Sequence, residues 1–314
     1  MYVTDTDWSR DYKVDGYYVR IAPVDPGGGT SRFLECMPVK NVESSMSSSS
    51  VSHLVSPDTL ALVRFGLRAA DDPRILNTLK VIDELLKIET PQGPVWRRYN
   101  GDGYGEHEDG GPFDGTGIGR AWPLLTGERA HYELAAGRVE EAERLRTALE
   151  SFASGEGLFS EQIWEAADIP ERELIFGRPS GSAMPLVWAH AEYLKLLRSL
   201  RDGRVFDMPP QTVQRYLKNK TEAPCLIWCF NHKIRSLPAG KILRIVTAVP
   251  AVCHWSDDDW NTTYESPTHD TGLGFQAVDL ATELLTEGKQ VRFTFYWPQS
   301  SRWEGVDFVV RVTL

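Results

Sequence analysis

No stretch of this 314-residue chain stays apolar for the roughly 20 residues that a membrane-crossing helix requires, so no spanning helix is expected. Positive charge is scarce. Lys and Arg number 34 against 44 Asp and Glu, a net charge of −10. Phosphate-rich partners need clustered cations, so nucleic acid and anionic membrane surfaces are excluded as partners. Cysteine is sparse: Cys36, Cys225, Cys229 and Cys253 match no zinc spacing. Cys225 and Cys229 lie four apart on a predicted strand, about 13 Å along it, too far to bond each other. Either could reach Cys253, and the redox compartment stays open. The N-terminus MYVTDTDWSRDYK is polar and acidic and does not read as a signal peptide, which leaves a cytosolic chain or one whose true start lies elsewhere. GxSxG, Walker and Rossmann signatures are all absent, which removes support for nucleophilic, phosphoryl-transfer and dinucleotide chemistry.

What the chain does have is aromatic side chains: ten Trp, eleven Tyr and twelve Phe. Cores take most of such residues, yet flat and weakly charged ligands such as sugars are also held by stacking on indoles.

The hydrophobic period changes along the chain. Up to about residue 200 it is helical. The run 56–72 opens with Ser56 as a cap and Pro57 at the first helical position. The run 73–88 puts Ile75, Leu79, Ile82, Leu85 and Leu86 on one face, and 139–154 does the same with Ala142, Leu145, Leu149 and Phe152. The run 180–200 aligns Ala183, Leu186, Val187, His190, Leu194 and Leu197. Beyond about residue 206 the period is two, over 241–249, 290–297 and 304–314, the pattern of half-buried antiparallel strands. A helical domain over 1–205 and a β domain over 206–314 are expected. The run SSMSSSS (44–50) is low in complexity and expected to be mobile.

Two long connections, 101–119 and 155–179, are where function is expected to sit. The loop VWRRYNGDGYGEHEDGG (95–111) is rich in oxygen ligands but misses the calcium-loop register, so a solvated acidic loop is expected for 106–109 and no metal. Arg98 and Tyr99 are bulky for an idle loop, and a guanidinium fork beside tyrosines can hold sugar hydroxyls. His190 reads as a satisfied core histidine. In GLFSEQIWE (157–165), Glu161 is either half of a catalytic pair or an exposed glutamate at a helix start.

Four segments in order carry a resemblance: RYNGDGY (98–104), AWPLLTGERAHYEL (121–134), GLFSEQIWE (157–165) and GRPSGSAMPLVWAHAEYLKLLRS (177–199). Together they resemble the C-terminal half of glycoside hydrolase family 15, the glucoamylase-type enzymes. Residues 209–241 resemble the β domain that follows in bacterial-style members, so the likeness runs from about residue 57 onward. It implies a partial (α/α)6 toroid of helical hairpins followed by a small antiparallel β-sandwich-like domain. It also implies inverting release of glucose from the non-reducing ends of an α-glucan or oligosaccharide, by a monomer that needs no cofactor. Glu161 takes the role of general base, with Arg98, Tyr99, Tyr104, Trp122 and Gln162 binding substrate. No counterpart of the family's Trp-Glu general-acid segment is found, and about half of the six hairpins are present. The expectation is a fragment that carries the base but not the acid. Two other readings follow from the residues: a carbohydrate-binding module using Trp255, Trp260, Trp297 or Trp303 as platforms, with Trp297 more a core residue, or an inactive remnant. Relatives of this family are often secreted or periplasmic, and they differ in linkage preference.

Overall fold

The structure is a computed structural model that describes residues 1–21, 36–38, 41 and 48–313. These divide into two compact units, one running to Thr221 and the other from Glu222. The helical unit therefore extends past residue 205: Val205 and Met208 pack with Leu134 and Ala142, and the Thr212 hydroxyl donates to the Phe65 carbonyl.

In this unit strands β1 (Tyr2–Thr4) and β2 (Gly16–Tyr18) pair around helix α1 (Asp7–Asp11). Strands β3 (Cys36–Pro38) and β4 (Ser48–Ser50) also pair, so the serine run is ordered from Ser48 while 44–47 lie outside the described residues. The expected helix over 56–72 is cut short. A 3-10 turn over Pro57–Leu60 leads into α2 (Ala61–Arg64), and the chain then turns at Gly66, whose φ of 71° favours glycine.

Helix α3 (Pro73–Leu86) starts where Asp72 accepts from the Arg74 N–H and Pro73 supplies a preset φ. Its buried face includes Ile75, Leu79, Ile82 and Leu86. It ends two residues early. Lys87 turns extended, and β5 (Lys87–Thr90) pairs with β6 (Gly93–Arg97), which pairs with β7 (Ala121–Trp122).

Helices α4 (Pro123–Ala135) and α5 (Val139–Ser151) form an antiparallel hairpin, and α6 (Val187–Asp202) packs on α4. The expected α5 face is buried, Phe152 included. Gly127 lets the three helices close up, because a Cβ there would meet Glu192 at 3.0 Å and Leu149 at 3.2 Å. The expected α6 face is not the inward one. Ala189, Glu192, Leu196 and Ser199 face in, whereas Val187 is 78% and Leu194 64% exposed. The inward polar groups are paired. The Arg64 guanidinium bonds Glu192 and Asp207, each at 2.8 Å, and Glu192 also meets His131 at 2.8 Å. A buried carboxylate needs such partners, and in this orientation it has them.

The second unit contains β8 (Cys225–Cys229), β9 (Ser236–Pro238), β10 (Ile242–Thr247), β11 (Val252–Ser256), β12 (Tyr264–Pro267), β13 (His269–Asp270), β14 (Gln276–Leu280), β15 (Gln290–Trp297), β16 (Arg302–Trp303) and β17 (Phe308–Thr313). One sheet runs β13-β14-β10-β8 and the other β12-β11-β15-β17-β9, with β16 beside β15. Pairing is mainly antiparallel, but β8 joins β10 and β9 joins β17 in parallel. The chain passes from one sheet to the other between these strands, so no hairpin links either edge strand to its partner. Inward side chains of both sheets share one core: Leu243 and Ile245 meet Val291, Phe293, Phe295 and Val310 around Trp228. Trp255 belongs to that core and Trp297 is packed against it, so neither is a platform, while Trp303 stays 52% exposed. All four cysteines are free. Cys253 is buried, and burial pushes its thiol up to about 12.

Candidate active site

Residues 159–164 do not begin a helix. They run extended between two other segments and continue the β5-β6-β7 sheet. Ile163 bridges to Ala121 on one side and to Pro179 on the other. The Glu161 N–H donates to Ala183 O at 2.8 Å, Trp164 N–H to Arg178 O at 2.8 Å, and Leu186 N–H to Phe159 O at 2.8 Å. The Glu165 carboxylate accepts from the Ala121 N–H at 2.7 Å and pairs with Arg97, tying this end of the ladder to β6. Every residue from Phe159 to Trp164 is buried except Glu161, which is half-buried. The chain presents one carboxyl at the single accessible point of a fixed backbone.

The Gly-rich loop brings its own residues to that carboxyl. The Tyr104 hydroxyl donates to Glu161 Oε2 at 3.3 Å. Arg98 is held by Asp102 through two bonds of 2.7 and 2.9 Å, and Asp102 is held in turn by the backbone, accepting from Tyr104 N–H at 3.1 Å. So braced, the guanidinium lies 4.8 Å from the Trp122 ring centre and 5.1 Å from that of Tyr104. Trp122 and Tyr104 are 6.5 Å apart, Phe113 packs on Tyr104 at 5.0 Å, and Trp188 meets Trp122 at 6.2 Å. Burial raises the Glu161 carboxyl above the usual glutamate range. The Tyr104 bond and Arg98 pull it back, and Glu106 adds to the rise.

Arg98, Tyr104, Trp122 and Glu161 thus meet in one place. Tyr99 is buried beside them, with the Arg20 guanidinium 3.9 Å over its ring. Gln162 is 1% exposed, and its amide donates to Tyr104 O at 2.7 Å, fixing the loop that carries the tyrosine. His190 Nε2 accepts from the Phe159 N–H at 3.1 Å, so it has the expected partner, but it is partly exposed and not in the core. The acidic stretch 106–109 is not uniformly solvated: Glu106 is 6% exposed, while Glu108 and Asp109 face water. Among the described residues no group of three or more His, Cys, Asp or Glu side chains is placed to hold a metal ion.

Sequence reasoning missed Arg20, Phe113 and Trp188, and it placed Glu106 in a solvated loop. Trp188 was findable as an indole in the first turn of α6, next in sequence to the motif's apolar residues. A cleft of about 730 Å³ opens here, lined by Tyr104, Glu106, Phe113, Glu161 and the segment 179–184.

Residues 11–198, more than half of the chain, match the family described as Glycosyl hydrolases family 15. The chain belongs to this family. The match starts well before residue 57, so Arg20 lies within the family region. Over 164 residues the chain is 48% identical to the glucoamylase of Clostridium sp. (strain G0005), covering 52% of this chain and 22% of that protein. Over 98 residues it is 31% identical to a cycloisomaltooligosaccharide glucanotransferase of Niallia circulans, covering 28% of this chain and 10% of that one. A crystal structure of a bacterial glucoamylase complexed with acarbose matches with a TM-score of 0.56 and 44% identity, over 65% of this chain and 27% of that chain. This family 15 chain therefore spans about a quarter of the length of its glucoamylase relatives.

Proposed function

We propose that this chain supplies the water-activating half of a glucoamylase-like site, with its helices forming part of an (α/α)6 toroid. The substrate is the non-reducing end of an α-glucan or oligosaccharide, and hydrolysis inverts the anomeric carbon. The observation that carries this reading is the single accessible carboxyl of the buried 159–164 segment, hydrogen-bonded by Tyr104 beside Arg98. A base for water must be ionised yet reluctant. Partial burial makes Glu161 more basic, while Tyr104 and Arg98 keep its charged form available. Arg98 commits two donors to Asp102 and has others left for sugar hydroxyls, and Tyr99 backs it. The buried Trp122 indole N–H has no acceptor among the described residues, which suits a hydroxyl partner. Gln162 acts by holding Tyr104.

An inverting pair needs its carboxyls about 6.5–9.5 Å apart, with water between the base and the sugar. On this reading the acid that protonates the leaving oxygen comes from outside these 314 residues. The chain alone is therefore expected to release negligible glucose from maltose. A chimaera in which the upstream part of the Clostridium glucoamylase is joined to this chain is expected to release it readily. Strong release by the unaided chain in a coupled glucose assay would overturn the division of roles.

Tyr104→Phe gives a finer test in the chimaera. Its hydroxyl stabilises the charged form of Glu161, so its loss raises the pKa of the base. A base works only when deprotonated, and the acid limb of the kcat/KM profile is expected to move to higher pH. An unmoved limb would detach Tyr104 from the base.

A further inference from the structure

The loop that carries Tyr104 also carries Glu106, and the chemistry assigned to Glu161 does not use it. Glu106 is 6% exposed, lies in the wall of the same cleft, and has an Oε2 with no hydrogen-bond partner among the described residues. Of the donors nearby, the Arg120 Nε is buried without a partner yet makes no hydrogen bond to this carboxyl, and the others are committed elsewhere. Arg120 gives its Nη2 to the backbone carbonyls of Glu106 and His107, at 3.1 and 2.9 Å, and stacks on Trp164. Ser180 donates to Ser182, and Ser182 to the Gln162 carbonyl. The carboxyl is nonetheless fixed in place. Its loop is pinned by Arg120, and Gly181 crosses Oε1 so closely that a Cβ there would lie 3.1 Å away.

Folded proteins rarely leave a buried acceptor without a donor, and where they do, a ligand or water commonly supplies it. We propose that Glu106 accepts a hydroxyl of the sugar unit lying next to Glu161, and so helps to decide which sugars the cleft takes. The assignment rests on reading the cleft as a glucan site. An acceptor-only carboxylate favours a ligand that presents an O–H there. A ligand lacking that hydroxyl leaves the buried group unpaired, which is why such sites reject deoxy analogues strongly. Glu106 also contributes to the rise of the Glu161 carboxyl, which places the two groups within electrostatic reach.

The test is calorimetric titration of the 314-residue chain with maltotriose and a set of its monodeoxy analogues. Glu106→Gln, nearly isosteric, is expected to weaken maltotriose by about tenfold or more, with an unchanged thermal midpoint. One deoxy analogue should bind the wild type correspondingly poorly, yet bind Glu106→Gln as well as maltotriose does. A residue that merely supports the loop would not produce that match. Equal binding by wild type and Glu106→Gln, or wild-type affinities within twofold across all the deoxy analogues, would overturn the role of Glu106 and leave the cleft reading intact. No binding of maltotriose by the wild type would overturn both.

Discussion

Glu161→Gln in the chimaera is expected to lower glucose release from maltose by about 10²–10⁴, the usual worth of one assisted proton transfer. Gln keeps the shape of Glu161 and removes the charge that takes the proton. The backbone on either side is fixed by bonds to Ala183 and Arg178, and Ile163 bridges Ala121, none of which involves the side chain. The thermal midpoint should therefore stay where it was, and KM should change less than kcat. An undiminished rate, measured by coupled glucose release under saturating maltose, would remove Glu161 from the mechanism. A fall in rate together with a large fall in the melting temperature would mean that the variant reports on folding instead.

Glu192→Ala should cost far more in stability than any single exposed ion pair. Glu192 has 3% side-chain exposure and serves both Arg64 and His131, while Arg64 also holds Asp207. Its truncation leaves the buried guanidinium with Asp207 alone and removes the carboxylate from a buried imidazole, and breaking a buried pair costs about 3–5 kcal/mol. In a unit of this size that is a fall in Tm of roughly 10 °C. The contrast is Asp279→Ala. Its partner Arg244 is held at 2.6 Å, but both side chains are about two-fifths exposed, and such pairs are worth about 0–1 kcal/mol. Scanning calorimetry of the two variants decides the matter: equal shifts would mean that the buried network contributes nothing special. The net shift of the Glu192 carboxyl is downward, because burial raises it but His131 and Arg64 outweigh the burial. A depressed carboxylate gives stability that is complete above the unfolded pKa and lost as pH falls through the lower folded value. The gap between wild type and Glu192→Ala should therefore narrow on strong acidification.

Helices with an apolar stripe were legible in the sequence, and α3 and α5 are the examples. Period there points to the face that packing buries. The α6 face was misread for a physical reason. Apolar periodicity ranks Glu192 and Ser199 as outward positions, whereas their partners Arg64 and His131 lie on other helices far away in sequence. The helix over 56–72 failed at Gly66, where backbone conformation outweighed an apolar run. Of the site, Glu161, Arg98, Tyr104 and Trp122 were reached through motif order, and the structure brings them together. Tyr99 was expected beside Arg98 as a substrate-binding residue, and its burial under Arg20 depends on a segment that carries no motif. Glu106 was hidden by its neighbours. In GEHEDGG it looks like one more solvated acid, and only the crossing of residues 180–182 encloses it.

The place of β17, between β15 and the parallel edge strand β9, has a consequence for how the second unit comes into being. A ribosome delivers β8 to β15 first, with Trp228, Phe293 and Phe295 already made but without Val310 and Val312 to cover them. The partner that β9 needs arrives some seventy residues after β9 itself, a separation that slows folding and prolongs the life of open edges. The pairs β10-β14 and β11-β15 can form before β17 is made, but β9 stays without its partner, and the apolar side chains that Val310 covers stay bare, until β17 emerges.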